Sequence, residues 1–253
     1  MSKIMMSVCL FAILQLSTVL AHAEENIQNV LFDEGHGQLF SIGEKGDLQL
    51  SKLAETIRSA GVRVNKTKDS INDDTLKGAS ALVVSGLFNP LQTDEVESII
   101  RFIQKGGRVA VMMHIAPSLS NLVFRLGLGY SQAVIHERQN VIDKDINFRV
   151  TDLSQNPLFA GIDSFSAYGA WAIDPRDKST SIARTSPKAW MDLNNKDVIS
   201  NKSLVGTFTV VTIGSLGTGQ FVIFSDDAIF QNRFLEGNNL KLAENLTRWL
   251  ISR

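Results

Sequence analysis

Two uninterrupted apolar runs, at residues 81–84 and 109–113, constrain the fold of this chain more than any other feature of its sequence. A strand with one solvated face alternates apolar and polar residues, whereas a strand buried on both faces is apolar throughout. Between the runs, Val96, Ile99 and Ile103 are spaced to form one apolar stripe along a helix. Strand, helix and strand in this order predict parallel neighbouring strands joined by a helical crossover.

The same alternation extends over most of the chain. Upstream, a short strand at residues 30–33 precedes a helix centred on residues 50–57 and a second strand at residues 62–64. Downstream, helices are predicted at residues 117–126 and 239–251. The pattern predicts an α/β fold of three layers, in which a parallel sheet carries helices on both faces.

The second half of the chain has a different pattern. Residues 129–201 alternate in polarity with little helical period, which predicts a β-rich excursion attached to the sheet. Two further strands, at residues 207–213 and 220–224, flank the glycine-rich residues 214–219. A phosphate-binding loop must lead into a helix, and this one leads into a strand, so a hairpin is predicted instead.

Polar side chains gather where the predicted strands end. The first strand closes in a cluster of two acids, a histidine and two glycines, and a pair of acids follows the last strand. In parallel sheets, ligands bind beyond the carboxyl ends of the strands. The candidate binding residues at this edge are Asp33, Glu34, His36, Ser85, His114, Asp226, Asp227 and Asn232.

Two chemical interpretations of these residues remain open at the level of sequence. Paired carboxylates beside a histidine serve as acid and base, or they bind a divalent ion, for which Asp33, His36 and Asp226 are the candidates. A structural interpretation is that Asp33 caps the following segment and that His36 bonds to the backbone. Thr93 is the predicted N-cap of its helix, and Glu95 suits the positive end of that helix.

The amino terminus is predicted to be a cleaved secretory signal. Lys3 supplies the positive region, residues 8–14 the apolar region, and Ala21 and Ala23 the small residues of a cleavage site after Ala23. The mature chain, residues 24–253, is then a single domain that is periplasmic or secreted, with no membrane span.

Cysteine usage and charge exclude several classes of function. The single cysteine, Cys9, lies within the predicted signal, so the mature chain has no disulfide, thiolate metal site or cysteine nucleophile. The formal net charge of the whole chain is −1. A balance so close to neutral gives no electrostatic basis for binding nucleic acid.

Several segments are similar to those of a known superfamily. They are residues 32–37, residues 78–89, residues 91–113 with the pair Gly106-Gly107, residues 156–162, and residues 217–227. Together they resemble the class I glutamine amidotransferase-like superfamily. The similarity is greatest to its uncharacterised periplasmic and ABC-transporter-associated branch. That branch includes the gliding-motility auxiliary and intraflagellar-transport-type domains, which are often labelled only as a domain of unknown function.

The resemblance implies a flavodoxin-like three-layer sheet. True amidotransferases carry a cysteine nucleophile after the fourth strand, and this chain has His114 in that neighbourhood. The resemblance therefore implies the fold without the glutaminase activity.

The sequence supports one leading function and one alternative. The leading hypothesis is a non-catalytic accessory domain, associated with a transport system, that binds a small polar ligand or a periplasmic or membrane protein. The alternative is a hydrolase of sugars or esters that uses Asp33, His36, His114 and Asp226. No cofactor is expected, except that a divalent ion could assist the hydrolase.

Overall fold

The computed structural model describes residues 28–114, 117–194 and 198–252. The predicted signal and its cleavage position after Ala23 lie outside the described residues. Within the described ranges, no helix is long and apolar enough to cross a membrane.

The chain alternates strands and helices in its first half and is rich in strands in its second. The helices are α1 (Ser51–Ser59), α2 (Thr93–Gln104), α3 (Ser120–Arg125) and α4 (Gly237–Ile251). The strands are β1 (Asn29–Asp33), β2 (Arg63–Thr67), β3 (Ala81–Ser85), β4 (Arg108–Met112), β5 (Gly129–Val134), β6 (Asn147–Val150), β7 (Asp152–Leu153), β8 (Phe165–Tyr168), β9 (Trp171–Asp174), β10 (Ser179–Arg184), β11 (Trp190–Met191), β12 (Leu204–Val205), β13 (Thr209–Leu216) and β14 (Gly219–Phe224).

Five parallel strands form one side of the main sheet, from the edge strand β2 inward in the order β2-β1-β3-β4-β14. This order confirms the predicted parallel sheet and its flavodoxin-like arrangement. The chain moves outward in opposite directions from β1 and from β3, so the topological switch point lies between these two strands. The carboxyl ends of β1, β3, β4 and β14 share one edge of the sheet.

Helices cover both faces of this sheet, as the apolar patterns predict. On one face, Leu53 of α1 and Leu242 of α4 pack in the same core as Val83 of β3. On the other face, Ile99 of α2 packs in a second core with Val111 of β4. Burial of each such side chain contributes about 1.5–3 kcal/mol to folding. The two cores therefore hold the strand ends of the sheet in fixed positions.

The β-rich excursion is largely an antiparallel extension of the main sheet. Strand β13 pairs with β14, β10 pairs with β13, and β7 pairs with β10, all antiparallel. Strands β9 and β5 join the same sheet beside β13. Two separate ribbons are formed by β6 with β8 and by β11 with β12.

The hairpin predicted at the glycine-rich segment is confirmed. Strands β13 and β14 are joined by Gly217 and Thr218, and the backbone N–H of Thr218 donates to the carbonyl of Gln104 at 3.2 Å. A Cβ atom at Gly219 would lie 2.0 Å from the carbonyl oxygen of Ile103. The turn therefore packs directly against the carboxyl end of α2, which only glycine at this position allows.

Two predicted helix boundaries were wrong in detail. The N-cap of α2 is Gln92, whose backbone is extended, and Thr93 is already helical. Short side chains are the usual N-caps. Here the Glu95 side chain, three residues into the helix, accepts the backbone N–H of Gln92 at 2.8 Å, as in a capping box. The helix predicted at residues 117–126 consists of a 3₁₀ turn, Pro117–Leu119, followed by α3.

Candidate functional site

His36 lies between two carboxylates just beyond the end of β1. Its Nδ1 is 2.8 Å from Oδ2 of Asp33, and its Nε2 is 3.1 Å from Oε1 of Glu95. Asp33 also accepts hydrogen bonds from the backbone N–H of Gly35 and from Nε2 of Gln38. All three charged side chains are buried, and both ring nitrogens of His36 are occupied. This first cluster is therefore closed to a ligand.

Glu95 belongs to this cluster, although its sequence position predicted only a favourable charge at the start of α2. Its carboxylate accepts the backbone N–H groups of Ile71 and Gln92, at 2.9 and 2.8 Å, in addition to facing His36. The spacing Gln92-x-x-Glu95 is a capping pattern, and nothing in it connects Glu95 with a histidine 59 residues away. Only the three-dimensional fold brings the two together.

The charges of the first cluster stabilise one another. Hydrogen bonding to Asp33 raises the pKa of His36 to about 9 against the effect of burial, and Glu95 acts in the same direction. Burial opposes ionisation of Glu95, but its backbone donors and His36 hold the pKa of this carboxyl below its usual value. At neutral pH, His36 is therefore an imidazolium that links the loop after β1 to the start of α2.

Glu34 has a separate structural role. Its Oε2 is 2.7 Å from Nζ of Lys66 on β2, and its Oε1 accepts the backbone N–H of Ile42 at 2.9 Å. These contacts fix the loop between β1 and α1.

A second cluster is built around His114, which follows β4. Its Nδ1 is 3.0 Å from Oδ1 of Asp227, and its ring centroid is 5.3 Å from those of Phe40 and Phe88. The Nε2 atom makes no hydrogen bond to any residue of the described ranges. Because 22% of the His114 side chain is exposed, a ligand can reach the ring from solvent.

The acids of the second cluster are more deeply buried than the histidine. Asp226 accepts the backbone N–H groups of Tyr168 and Ala228, at 2.5 and 2.9 Å. Burial, reinforced by the charge of Asp227, raises the pKa of Asp226 to about 8. Burial also raises the pKa of Asp227, although its hydrogen bond to His114 opposes the shift. Asp226 therefore holds β8 against the sheet.

Asp227 determines the state of His114. Burial lowers the pKa of the His114 imidazole, but the hydrogen bond to Asp227 and the charges of both acids outweigh it, so the pKa lies above its usual value. The cationic form is therefore favoured relative to a free histidine, and in that form Nε2 carries a proton that it can donate to a ligand.

Several buried polar atoms of the second cluster and its flanking strand ends have no hydrogen-bond partner among the described residues. They are Oδ2 of Asp227, Oγ of Ser85 at the end of β3 and Oγ of Ser225 at the end of β14. A Cβ atom at Gly86 would lie 2.8 Å from Oδ2 of Asp227, and Gly86 has a positive φ of 57°. Since buried polar atoms are nearly always bonded, this group of atoms has capacity for water or a bound molecule.

The two clusters are connected through the backbone. The carbonyl of His36 accepts the N–H groups of Phe88 and Asn89, at 3.1 and 2.9 Å. Phe88 in turn contacts the ring of His114. The closed first cluster thus positions one aromatic wall of the second.

The structure does not bring all of the predicted residues together. Within the described part of the chain, no hydrogen bond or ion pair joins the side chains of Asp33 and His36 to those of His114 and Asp226. Asn232 lies away from both clusters: its Oδ1 accepts the backbone N–H of Lys52 at the start of α1, at 2.8 Å. The candidate binding residues, which were expected at one site, therefore form two separate clusters and one helix cap.

The three residues considered as metal ligands do not form one set. Asp33 and His36 bond to each other, and Asp226 accepts backbone N–H groups of another segment. Among the residues that the structure describes, no group of three or more His, Cys, Asp or Glu side chains is arranged to hold a metal ion.

The fold and the site define a class of protein: a flavodoxin-like α/β domain with a partly exposed histidine, paired with a buried aspartate, at the carboxyl edge of its sheet. Residues 44–247 match the model of the family described as Domain of unknown function (DUF4350), and the chain belongs to that family. No curated protein matches the sequence.

Solved structures share the fold at low sequence identity. The mmIFT52 N-terminal domain has a TM-score of 0.72 at 14% identity, with 88% of this chain and 98% of that chain covered. A ThuA-like protein from Bacteroides uniformis has a TM-score of 0.53 at 16% identity, with coverages of 89% and 91%. Agd3, described as a carbohydrate deacetylase, has a TM-score of 0.51 at 11% identity, with coverages of 89% and 32%. At these identities the likeness is one of fold.

Proposed function

We propose that this protein is a non-catalytic binding domain that holds a small polar ligand, or a polar group of a protein partner, at His114. The observation that carries the proposal is that no described residue bonds to Nε2 of His114, on a ring that Asp227 orients and that Phe40 and Phe88 flank. A group with one hydrogen-bond acceptor beside an apolar surface fits this arrangement. The acceptor would bond to Nε2, and the apolar part would contact Phe88, which is 40% exposed.

The state of the histidine suits the binding of a hydrogen-bond acceptor. Although burial opposes it, both acids favour the protonated form of His114, in which Nε2 donates a hydrogen bond. An imidazolium held in place is a hydrogen-bond donor of fixed direction, and such preorganisation lowers the entropic cost of binding.

We further propose that the mature domain works outside the cytoplasm, after cleavage behind Ala23, and serves a transport system. The support is the signal-like segment of the sequence and the resemblance to transporter-associated members of the amidotransferase-like superfamily. Amino-terminal sequencing of protein exported by its native host should begin at Glu24. Recovery of an uncleaved chain from the cytoplasm would contradict this part of the proposal.

The binding function can be tested with a panel of small polar compounds. Thermal unfolding of the wild-type protein, His114→Gln and His136→Gln should be measured with each compound. His136 is a matched control, because it also pairs with an aspartate, Asp145, and stacks on an aromatic ring, Trp190. Compounds that stabilise the wild type and His136→Gln should have no effect on His114→Gln. Equal stabilisation of all three proteins would contradict the proposal.

The second candidate function is hydrolysis of an ester or a sugar. It is favoured by one observation, that Asp227 orients Nδ1 of His114 and leaves Nε2 unbonded, as in an oriented general base. Turnover of nitrophenyl esters or glycosides that is lost in His114→Gln and retained in His136→Gln would establish this function in place of the first.

A further inference from the structure

A groove of about 640 Å³ lies at the amino-terminal edge of the sheet, opposite the His114 cluster. Its lining includes Arg108 at the start of β4, Lys77 and Lys105. The one acid in its lining, Asp73, is bound by Arg101 at 2.7 Å. A second groove of about 470 Å³ also includes Arg108 in its lining, and adds Arg248 of α4. The two grooves together carry a clear excess of positive charge.

Arg108 is the unusual residue of this surface. In the described ranges no carboxylate lies within ion-pair distance of it, and it is partly buried, whereas other arginines without such a partner there, such as Arg233 and Arg248, are exposed. Its Nη1 donates to Oε1 of Gln220 at 2.8 Å, and its guanidinium lies 4.9 Å from the ring centroid of Trp249. Partial burial lowers the pKa of this guanidinium. A partly desolvated cation without a counter-ion is costly unless something else compensates.

A structural explanation accounts for some of the cations but not for Arg108. Helix carboxyl ends attract positive side chains, and Lys105 and Arg248 lie at or near the ends of α2 and α4. Arg108 is on a strand and has no such role. Its neighbour Trp249 has a buried indole N–H without a hydrogen-bond partner.

We propose that the groove around Arg108 binds a multiply charged oxyanion, a phosphate or carboxylate group of a small molecule. Guanidinium N–H groups pair with such oxyanions in a fixed fork geometry. Lys77, which forms no ion pair with any described residue, would add a second, mobile charge from the groove wall. This site is separate from the His114 cluster and does not depend on the function proposed for it.

The experiment is a titration with inorganic diphosphate, and separately with citrate, followed by calorimetry and by the NMR signal of the Trp249 indole N–H. Saturable binding of either anion that shifts the indole signal is expected. Arg108→Gln should weaken the affinity about tenfold or more, which corresponds to loss of one charge-assisted contact of about 1.4 kcal/mol or more. The anion that binds identifies the phosphate or the carboxylate class.

Two further variants keep the test decisive. Arg233→Gln removes a cation that also lies over an aromatic ring, Phe234, but is not part of either groove, and it should bind as the wild type does. Lys77→Gln changes an exposed side chain that bonds to no described residue, so it tests the groove with little effect on folding and should weaken binding about threefold or more. Binding of neither anion, or unchanged affinity in Lys77→Gln and in a folded Arg108→Gln, would overturn the proposal.

Discussion

His36 is the residue whose protonation is coupled most directly to folding. Its pKa is about 9 in the folded protein against 6.5 in a free histidine. Its contribution to stability is therefore fully present below about pH 6.5 and is lost as the pH rises through 9.

We predict that the free energy of unfolding, measured by urea titration, falls by on the order of 3 kcal/mol between about pH 6 and pH 10 because of His36. Asp226, whose pKa is raised to about 8, contributes a loss of the same sign at lower pH. His36→Gln should be less stable near pH 6 and should depend less on pH. An unchanged pH profile in this variant would contradict the charge assigned to His36.

Gly86 controls the position of Asp227. We predict that Gly86→Ala destabilises the protein by about 2–3 kcal/mol. The new methyl group would collide with Oδ2 of Asp227, and alanine is also disfavoured at the positive φ of this position. Gly61→Ala is the control, since Gly61 also has a positive φ but has open space around it. It should cost about 1 kcal/mol. Equal losses in urea titrations of the two variants would show that there is no collision at Gly86.

The roles of individual residues were only partly predictable from the sequence. Polar residues at strand ends were identifiable because apolar runs stop abruptly at Asp33 and before His114. The partner of His36 was not, because Glu95 reaches it only through the packing of α2 against the sheet. Asn232 was placed at the rim because it follows the last strand closely in sequence, yet the fold turns its side chain toward α1.

At the scale of elements, the start of α2 is the junction between the loops that build the site. The Glu95 carboxylate caps this helix, accepts a hydrogen bond from the backbone N–H of Ile71 and faces His36. Removal of its charge leaves a buried imidazolium with one counter-ion in place of two.

We predict that Glu95→Gln lowers the free energy of unfolding by about 3 kcal/mol, the usual cost of breaking a buried ion pair. Glu97→Gln, two residues further along α2 and paired with Arg125 in an exposed position, should cost less than about 1 kcal/mol. Chemical denaturation at neutral pH measures both. Similar losses of unfolding free energy in the two variants would mean that the buried contacts of Glu95 stabilise the protein no more than an exposed ion pair does.

Element types followed from the sequence more reliably than their pairing. The buried runs of β3 and β4 are short and bounded by turn residues, as buried strands are, and the stripe of α2 has a helical period. The antiparallel extension of the sheet by β13, β10 and β7 depends on contacts between distant segments, which local periodicity does not encode. For this reason the second half could be described in advance as β-rich and attached to the sheet, but the partners of its strands could not be assigned.

At the scale of the whole molecule, one continuous sheet joins the first half of the chain to the excursion. Strand β14 pairs with β4 on one side and with β13 on the other. We predict a single cooperative unfolding transition, with coincident changes in circular dichroism and in tryptophan fluorescence. Trp171 and Trp190 lie in the excursion and Trp249 in α4. A fluorescence transition that precedes the loss of helix would indicate that the excursion is a separate unit.

The central claim is that the binding site is His114 and not the closed cluster of His36. The most direct measurement is the NMR spectrum of the histidine ring nitrogens in protein labelled at histidine, recorded as the panel of small polar compounds is added. We predict that compounds which stabilise the protein shift the Nε2 signal of His114 and leave both nitrogens of His36 unchanged. Shifts at His36 with none at His114, or no shift of His114 by any compound, would contradict the claim.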